Sequence, residues 1–538
     1  MTDPQATATD GARSATAGFG AALVAALVIV GALTALRIAV LLFTVLDLGP
    51  EEAQYWAWAQ HLAFGYFSKP PMIAWLIAGT TAVCGDGEAC VRISAPLLHA
   101  GSALVVFALA RKLYGDRTAV WAAVAFATLP AVFLSAGLIT TDVPLVFAWV
   151  CALYAYRQMI DASHDAMRQE ALRWAALTGI AVGLGLLAKY AMVYFFLCAA
   201  AHAATSRTAR RALLRSPAGL MIAGLALAIV SPNLIWNAQE GFATVKHTAA
   251  NANWQGHLFS LRQLGDFLGA QLGVFGPILF VVFLIGLMTL TRRMKTATPG
   301  ADQFLALFSA PILLVACAQA FVSRANANWA GPTYVAATIL AVAWLVRGGD
   351  RVWLSLFGLR ARLKSLLWLS LGIHLISGLT LYALITIPGA IETFGLENAF
   401  KDLRGWDKFA PRIARLASSG SYRVLMTDYR WTTAELLYYG RNVGLPIAMF
   451  DVDGIPGNEF ELSRPYRRES GGPVLFVSYY ADTSKVLSRF AEVQPLEVFP
   501  MPRSLAPPPA PPAQVPWVRT YGKYELPFYI FRLDGYRG

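Results

Sequence analysis

Two adjacent carboxylates, Glu51 and Glu52, open a short stretch that ends in Ser68-Lys69-Pro70-Pro71, with Tyr55, Trp56 and Trp58 between them. Further polar groups recur between long apolar runs: Thr140-Thr141-Asp142, Lys189-Tyr190, Trp236-Asn237, Lys246-His247, His257, and Arg324-Ala325-Asn326-Ala327-Asn328-Trp329. These residue types suit one kind of chemistry. A carboxylate can take the proton of a hydroxyl, and desolvation makes it a stronger base. A Lys or Arg can stabilise charge developing on a departing phosphate, more strongly in a low dielectric. Each group also has a plainer use. Paired acids favour a helix N-terminus, Trp and Tyr form an interfacial belt, Lys189 can snorkel, and a lone His more often makes an ordinary hydrogen bond.

The chain that must position these groups is 57% hydrophobic and 14% charged over 538 residues, with mean hydropathy +0.51. That excludes an ordinary soluble domain and fits a mainly α-helical polytopic membrane protein. The net charge of +12 does not point to nucleic acid, because the basic residues are confined to short loops between apolar runs, where they write topology. Five cysteines cannot frame a disulfide scaffold. Cys151, Cys198 and Cys317 lie in apolar segments and read as packing residues. Cys84 and Cys90 flank GDGEA, where a disulfide and two free thiols are both open.

Apolar runs long enough to span a bilayer fall near 19–46, 91–110, 118–139, 143–160, 174–188, 190–204, 217–236, 266–291, 303–323, 330–346 and 365–387, about eleven in all. The pair at 174–188 and 190–204 reads as a hairpin with Lys189-Tyr190 at its tip. The first run is too long for a signal peptide and should remain as an anchor. Loops rich in Arg, such as Arg207, Arg210, Arg211 and Arg215, alternate with loops holding Glu51, Glu52 and Asp142. The positive-inside rule then places residues 1–18 in the cytoplasm, 19–387 in the membrane and 388–538 outside. Arg37 lies about 21 Å deeper than Glu51 at helical rise and must face protein, water or a lipid phosphate.

Residues 388–538 change character. YRVLMTD, LPIAMFDV, GPVLFVSYY and ELPFYIFRL read as strands, and WTTAELLYYG and ADTSKVLSRF as helices, which makes a C-terminal extracytoplasmic α/β domain. Leu505–Pro516 is Pro-rich and should be extended. Asp451-Val452-Asp453-Gly454 is too incomplete for an EF-hand loop and reads as a turn.

Five segments, in this order and loop placement, resemble the bacterial family-39-like glycosyltransferases of the GT-C membrane class, relatives of protein O-mannosyltransferases and lipid A aminoarabinose transferases. They are EEAQYWAWAQHLAFGYFSKPPM, LITTDVPLVFAW, LLAKY, SPNLIWNAQEGF and NANWAGPTYVAA, spread between about residues 30 and 345. The resemblance implies transfer of a sugar from a polyprenyl-phosphate donor to an acceptor hydroxyl of lipid A, an envelope polysaccharide or protein on the outer face. Glu51 then holds the catalytic carboxylate position, with Glu52 beside it, where relatives usually have Asp-Glu; Asp142 matches the acidic residue that shapes the site. Lys69 matches a lysine that contacts the carrier phosphate in the aminoarabinose transferase.

Arg324 is a second candidate for the donor phosphate, suited to bidentate pairing. Tyr55, Lys189, Tyr190, Asn237, His247, Asn328 and Trp329 are candidate groove residues. Ser68 stands where the aminoarabinose transferase has a metal-site Glu, so a metal site built from that Glu and a later His is unsupported, and His247 and His257 remain only as spare ligands for a divalent metal. Direct displacement would invert the anomeric centre. The chain has no Walker or dinucleotide fingerprint, in keeping with a lipid-linked donor. The rival expectation is a lipid-linked glycan flippase or transporter, against which stand the lack of an internal repeat and the placement of the acids at the ends of apolar runs.

Overall fold

A computed structural model describes residues 4–252, 254, 258–293, 300–349, 352–356, 359–502 and 525–538. The expectations for His257 and for the Pro-rich segment lie outside these residues. The chain divides into two compact units, one of residues 1–41, 69–73 and 92–381 and the other of residues 42–68, 74–91 and 382–538.

The first unit is helical because its sequence is a series of Ala/Leu-rich apolar runs. Among the described residues, seven helices are long and apolar enough to span a bilayer: Phe19–Phe43, Glu88–Tyr114, Asp142–His164, Arg168–Ala188, Pro217–Gln239, Ala301–Val322 and Leu363–Thr386. An eighth would be a broken one, since Leu261–Phe275 and Pro277–Thr289 meet at 114°. The eleven expected runs are therefore not eleven full-length helices. The run at 266–291 is bent where Gly276, at φ 85°, precedes a proline. The run at 118–139 is split into Asp116–Thr128 and Pro130–Ser135, with Pro130 starting the second piece. Proline cannot continue a helix that needs its N–H. The runs at 190–204 and 330–346 form only short apolar helices, Tyr190–Thr205 and Thr333–Gly348.

Close helix approach in this unit relies on small residues. A Cβ on Gly183 would sit 2.7 Å from Ile229 Cβ. Tyr156, Phe195, Phe304 and Phe308 form a buried aromatic cluster, with ring centroids of Tyr156 and Phe308 5.3 Å apart. Arg37 is 1% exposed and faces protein: it donates to the Ala127 carbonyl and lies over the Phe133 ring at 5.4 Å.

The unit that contains the C-terminal region is built on a five-stranded sheet. The strands are β1 (Val352–Leu356) and β2 (Leu359–Arg362), a separate hairpin in the first unit, then β3 (Val424–Thr427), β4 (Ile447–Met449), β5 (Val474–Ser478), β6 (Phe490–Pro502) and β7 (Glu525–Tyr536). The sheet order is β4-β3-β5-β7-β6, with β3 parallel to β4 and β5, and β7 antiparallel to β5 and β6. Helix Arg430–Tyr439 provides the β3-to-β4 crossover. The helix expected across ADTSKVLSRF is only Ser484–Leu487, because Phe490 already begins β6. That strand carries Pro495, Pro500 and Pro502, which are tolerated because it is an edge strand. Asp451 Oδ1 accepts from the N–H groups of Asp453 and Gly454, at 3.2 and 2.8 Å, closing a turn after β4. Cys84 and Cys90 form a disulfide.

Asp47 ties this unit together by capping helix Trp406–Ser419, accepting the Trp406 N–H at 2.8 Å. Burial first, and then the like charges of Asp407 and Glu88, push its pKa up to about 7. A carboxyl with a folded pKa above its unfolded value stabilises the fold fully below the unfolded pKa and loses that contribution as pH rises through the folded pKa. Wild-type thermal stability in detergent should therefore fall between about pH 4 and pH 8, by on the order of 4 kcal/mol at most. Asp47→Asn, which keeps the capping oxygen, should flatten the profile and raise the melting temperature at pH 8. An unchanged slope would show that Asp47 does not set it.

Candidate functional site

Helix Pro50–Ala59 begins with Gly49 in an extended conformation and Pro50 at its first position, a favourable start because proline's missing N–H is not needed there. Glu52 is 4% exposed, and its Oε2 accepts the Gly49 N–H at 2.9 Å. This is the return half of a capping box, so Glu52 fixes the helix start. Glu51 is exposed, and no other described side chain bonds its carboxylate. The acidic pair thus divides between a structural member and one open to chemistry.

The aromatic residues that follow are packed inward. Tyr55, Trp56 and Trp58 are 3%, 6% and 3% exposed. Trp58 stacks on Tyr66 at 4.5 Å, Tyr55 lies 5.3 Å from Trp58, and Trp56 Nε1 donates to Asp86 Oδ1 at 2.8 Å. Tyr55, expected in a substrate groove, is thus a buried packing residue that supports the Glu51 helix.

The first unit gathers five of the expected residues into two hydrogen-bonded groups that meet at the adjacent residues Lys189 and Tyr190. Asp142 is the first residue of helix Asp142–His164, where the helix dipole favours its charge. Its Oδ1 accepts from Lys189 Nζ at 2.7 Å and its Oδ2 from Asn328 Nδ2 at 2.7 Å. Lys189 occupies the extended break between helix Arg168–Ala188 and the 3-10 turn Tyr190–Val193. The next residue carries the second group: Tyr190 OH donates to Asn233 Oδ1 at 2.7 Å and accepts from Asn237 Nδ2 at 3.0 Å. Asn233 is fully buried and was not singled out from the sequence. Its signal was there, since Asn233 and Asn237 are i,i+4 neighbours on one face of an otherwise apolar helix.

With both oxygens engaged by donors, Asp142 is a fixed acceptor, and a hydroxyl bound to it would be held in place. Lys69 is half-buried just before helix Met72–Cys84. Arg324 is exposed, with no ion pair among the described residues, and Trp329 is half-buried in the short turn that carries Asn328. His247 lies in helix Ala243–Ala250 with Nδ1 3.5 Å from Asn251 Nδ2. No group of three or more His, Cys, Asp or Glu side chains among the described residues is arranged to hold a metal ion.

Comparison with known proteins adds a family. Residues 68–236 match the family described as dolichyl-phosphate-mannose-protein mannosyltransferase. The chain is 33% identical over 454 residues to the lipid A galacturonosyltransferase RgtD of Rhizobium johnstonii, covering 84% of this chain and 90% of that protein. It is 29% identical over 214 residues, 36% of this chain and 38% of the relative, to an undecaprenyl phosphate-alpha-4-amino-4-deoxy-L-arabinose arabinosyl transferase of Pseudomonas fluorescens. The crystal structure of ArnT from Cupriavidus metallidurans bound to undecaprenyl phosphate shares the fold, with a TM-score of 0.62 over 94% of this chain and 97% of that one at 16% identity. An exposed acid at a capped helix start, a cross-linked Asp-Lys-Asn network and a relative matched over nearly its whole length lead to one conclusion: this chain belongs to the GT-C membrane glycosyltransferases, in the family that includes the Rhizobium johnstonii galacturonosyltransferase.

Proposed function

We propose that the protein moves a hexuronate of the galacturonate class from a polyprenyl-phosphate carrier to a hydroxyl of lipid A at the outer face of the bacterial inner membrane. The acceptor oxygen attacks the anomeric carbon and forms the new glycosidic bond. The bond from that carbon to the carrier phosphate breaks, its electron pair leaves on the phosphate, and Glu51 takes the acceptor proton. Lys69 and Arg324 neutralise the leaving phosphate, Asp142 orients a sugar hydroxyl, and the anomeric centre inverts.

One observation carries the assignment of the base: Glu52 is committed to the Gly49 N–H, whereas Glu51 is exposed and unengaged by any described side chain. The sugar and acceptor classes rest on the likeness to the lipid A galacturonosyltransferase. N-in topology, with the C-terminal unit in the periplasm, follows from the alternation of Arg-rich loops.

Mass spectrometry of lipid A from a deletion strain tests the substrate assignment. The wild-type gene should restore one hexuronate increment that the empty strain lacks. An unchanged lipid A, together with loss of lipid-linked sugar from the outer leaflet, would instead favour a transporter.

A further inference from the structure

A cavity of about 730 Å³ opens in the first unit between the turn joining helices Asp142–His164 and Arg168–Ala188 and the short helix Arg207–Leu214. Its polar lining includes His164, Arg168, Thr208, Arg211, Arg215 and Ser216, and no carboxylate among the described residues lines it. Arg168, Arg211 and Arg215 make no ion pair among the described residues. Of the acids closest in sequence, Asp165 lies 3.2 Å from Nδ1 of the lining His164, and Glu170 accepts from Trp174 Nε1 at 3.2 Å. The three arginines are solvent-exposed and line one concavity, and a phosphate ester would meet them with bidentate hydrogen bonds. Ala171, Leu172, Ala212 and Ala218 make the remaining wall apolar. Met167 and Leu214, each next in sequence to a lining arginine, are 46% and 73% exposed, as at a surface that meets acyl chains.

The helices place this cavity far from the Asp142 network. Asp142–His164 starts at Asp142 and ends at the cavity, and Arg168–Ala188 starts at the cavity and ends beside Lys189. Pro217–Gln239 likewise starts at the cavity and reaches Asn237 at its far end. Twenty-three helical residues cover roughly 33 Å, about the hydrocarbon thickness of a bilayer. A phosphate held here is therefore separate from any donor phosphate at the Asp142 end.

We propose that this cavity binds a phosphate ester at the membrane face opposite the Asp142 network. Basic pockets among transmembrane helices recognise anionic headgroups in this way. The proposal does not depend on which sugar is transferred.

The test uses the full chain. Native mass spectrometry counts lipids retained from mixed phosphatidylglycerol and phosphatidylcholine, and thermal unfolding is followed with inorganic phosphate added. Retention of phosphatidylglycerol at least tenfold over phosphatidylcholine, with no effect of phosphate, identifies a lipid headgroup as the source. A phosphate-dependent rise in melting temperature without lipid selectivity identifies a soluble ester. In either case the selectivity or shift should be lost in the triple variant Arg168→Gln, Arg211→Gln, Arg215→Gln. Should that variant misfold, Arg211→Gln alone should weaken it severalfold. No preference and no shift in the wild type, or equal effects in wild type and a folded variant, would overturn the proposal.

Discussion

Glu51→Gln is expected to lower kcat for sugar transfer by about 10²–10⁴-fold, the usual contribution of a positioned general base, while the protein still folds and inserts. The expectation follows from the different positions of two neighbouring acids. Glu51 is exposed and bonded by no described side chain, so an amide at that position removes a proton acceptor and little else. Glu52 accepts the Gly49 N–H from a site that is 4% exposed. Glu52→Gln can keep that bond through its amide oxygen and should retain most activity. Glu52→Ala should cost about 1 kcal/mol of stability through the lost cap and shift the start of the Glu51 helix. Glu51→Asp restores the residue that the resembling enzymes usually carry and should retain more activity than Glu51→Gln. Equal losses from Glu51→Gln and Glu52→Gln would show that the pair is not divided in this way.

Breaking the Asp142–Lys189 pair should have the second-largest effect. Asp142→Asn and Lys189→Met are each expected to reduce activity by on the order of 10²-fold, through a misplaced hydrogen-bonding group. The two side chains are each 21% exposed and joined at 2.7 Å, so removing one partner leaves the other poorly solvated and uncompensated. The double variant should fall no further than the worse single variant, with a coupling of about 1–3 kcal/mol. Strict additivity of the two losses would mean that they act independently. Asn328→Ala, which removes the other donor to Asp142, should be milder because one charged partner remains.

The parts of the site legible in the sequence were those written locally. Lys189-Tyr190 breaks two apolar runs, and the structure has the helix ending at Ala188. Asp142 begins a long apolar run and is the first residue of its helix. Partners distant in the chain were not legible: Asn328 meets Asp142 across 186 residues, and no local periodicity encodes that. The grouping of residues 42–68 with residues 382–538 is non-local in the same sense. Strand β6 was missed because three prolines argue against a central strand, and only the sheet order shows it to be an edge. Long apolar runs signal burial without signalling straightness, so the runs at 118–139 and 266–291 do not form single straight helices. The Gly276-Pro277 and Leu129-Pro130 steps were the warnings.

The central claim is tested most directly by the purified protein in proteoliposomes containing a polyprenyl-phosphate-linked hexuronate and lipid A, with wild type and Glu51→Gln compared at equal amounts. Wild type should build up hexuronate-modified lipid A and release polyprenyl phosphate in equal measure, and Glu51→Gln should do neither at a comparable rate. Modified lipid A formed equally fast by Glu51→Gln would remove Glu51 as the base. Movement of the intact lipid-linked sugar across the bilayer without any transfer would contradict the account itself.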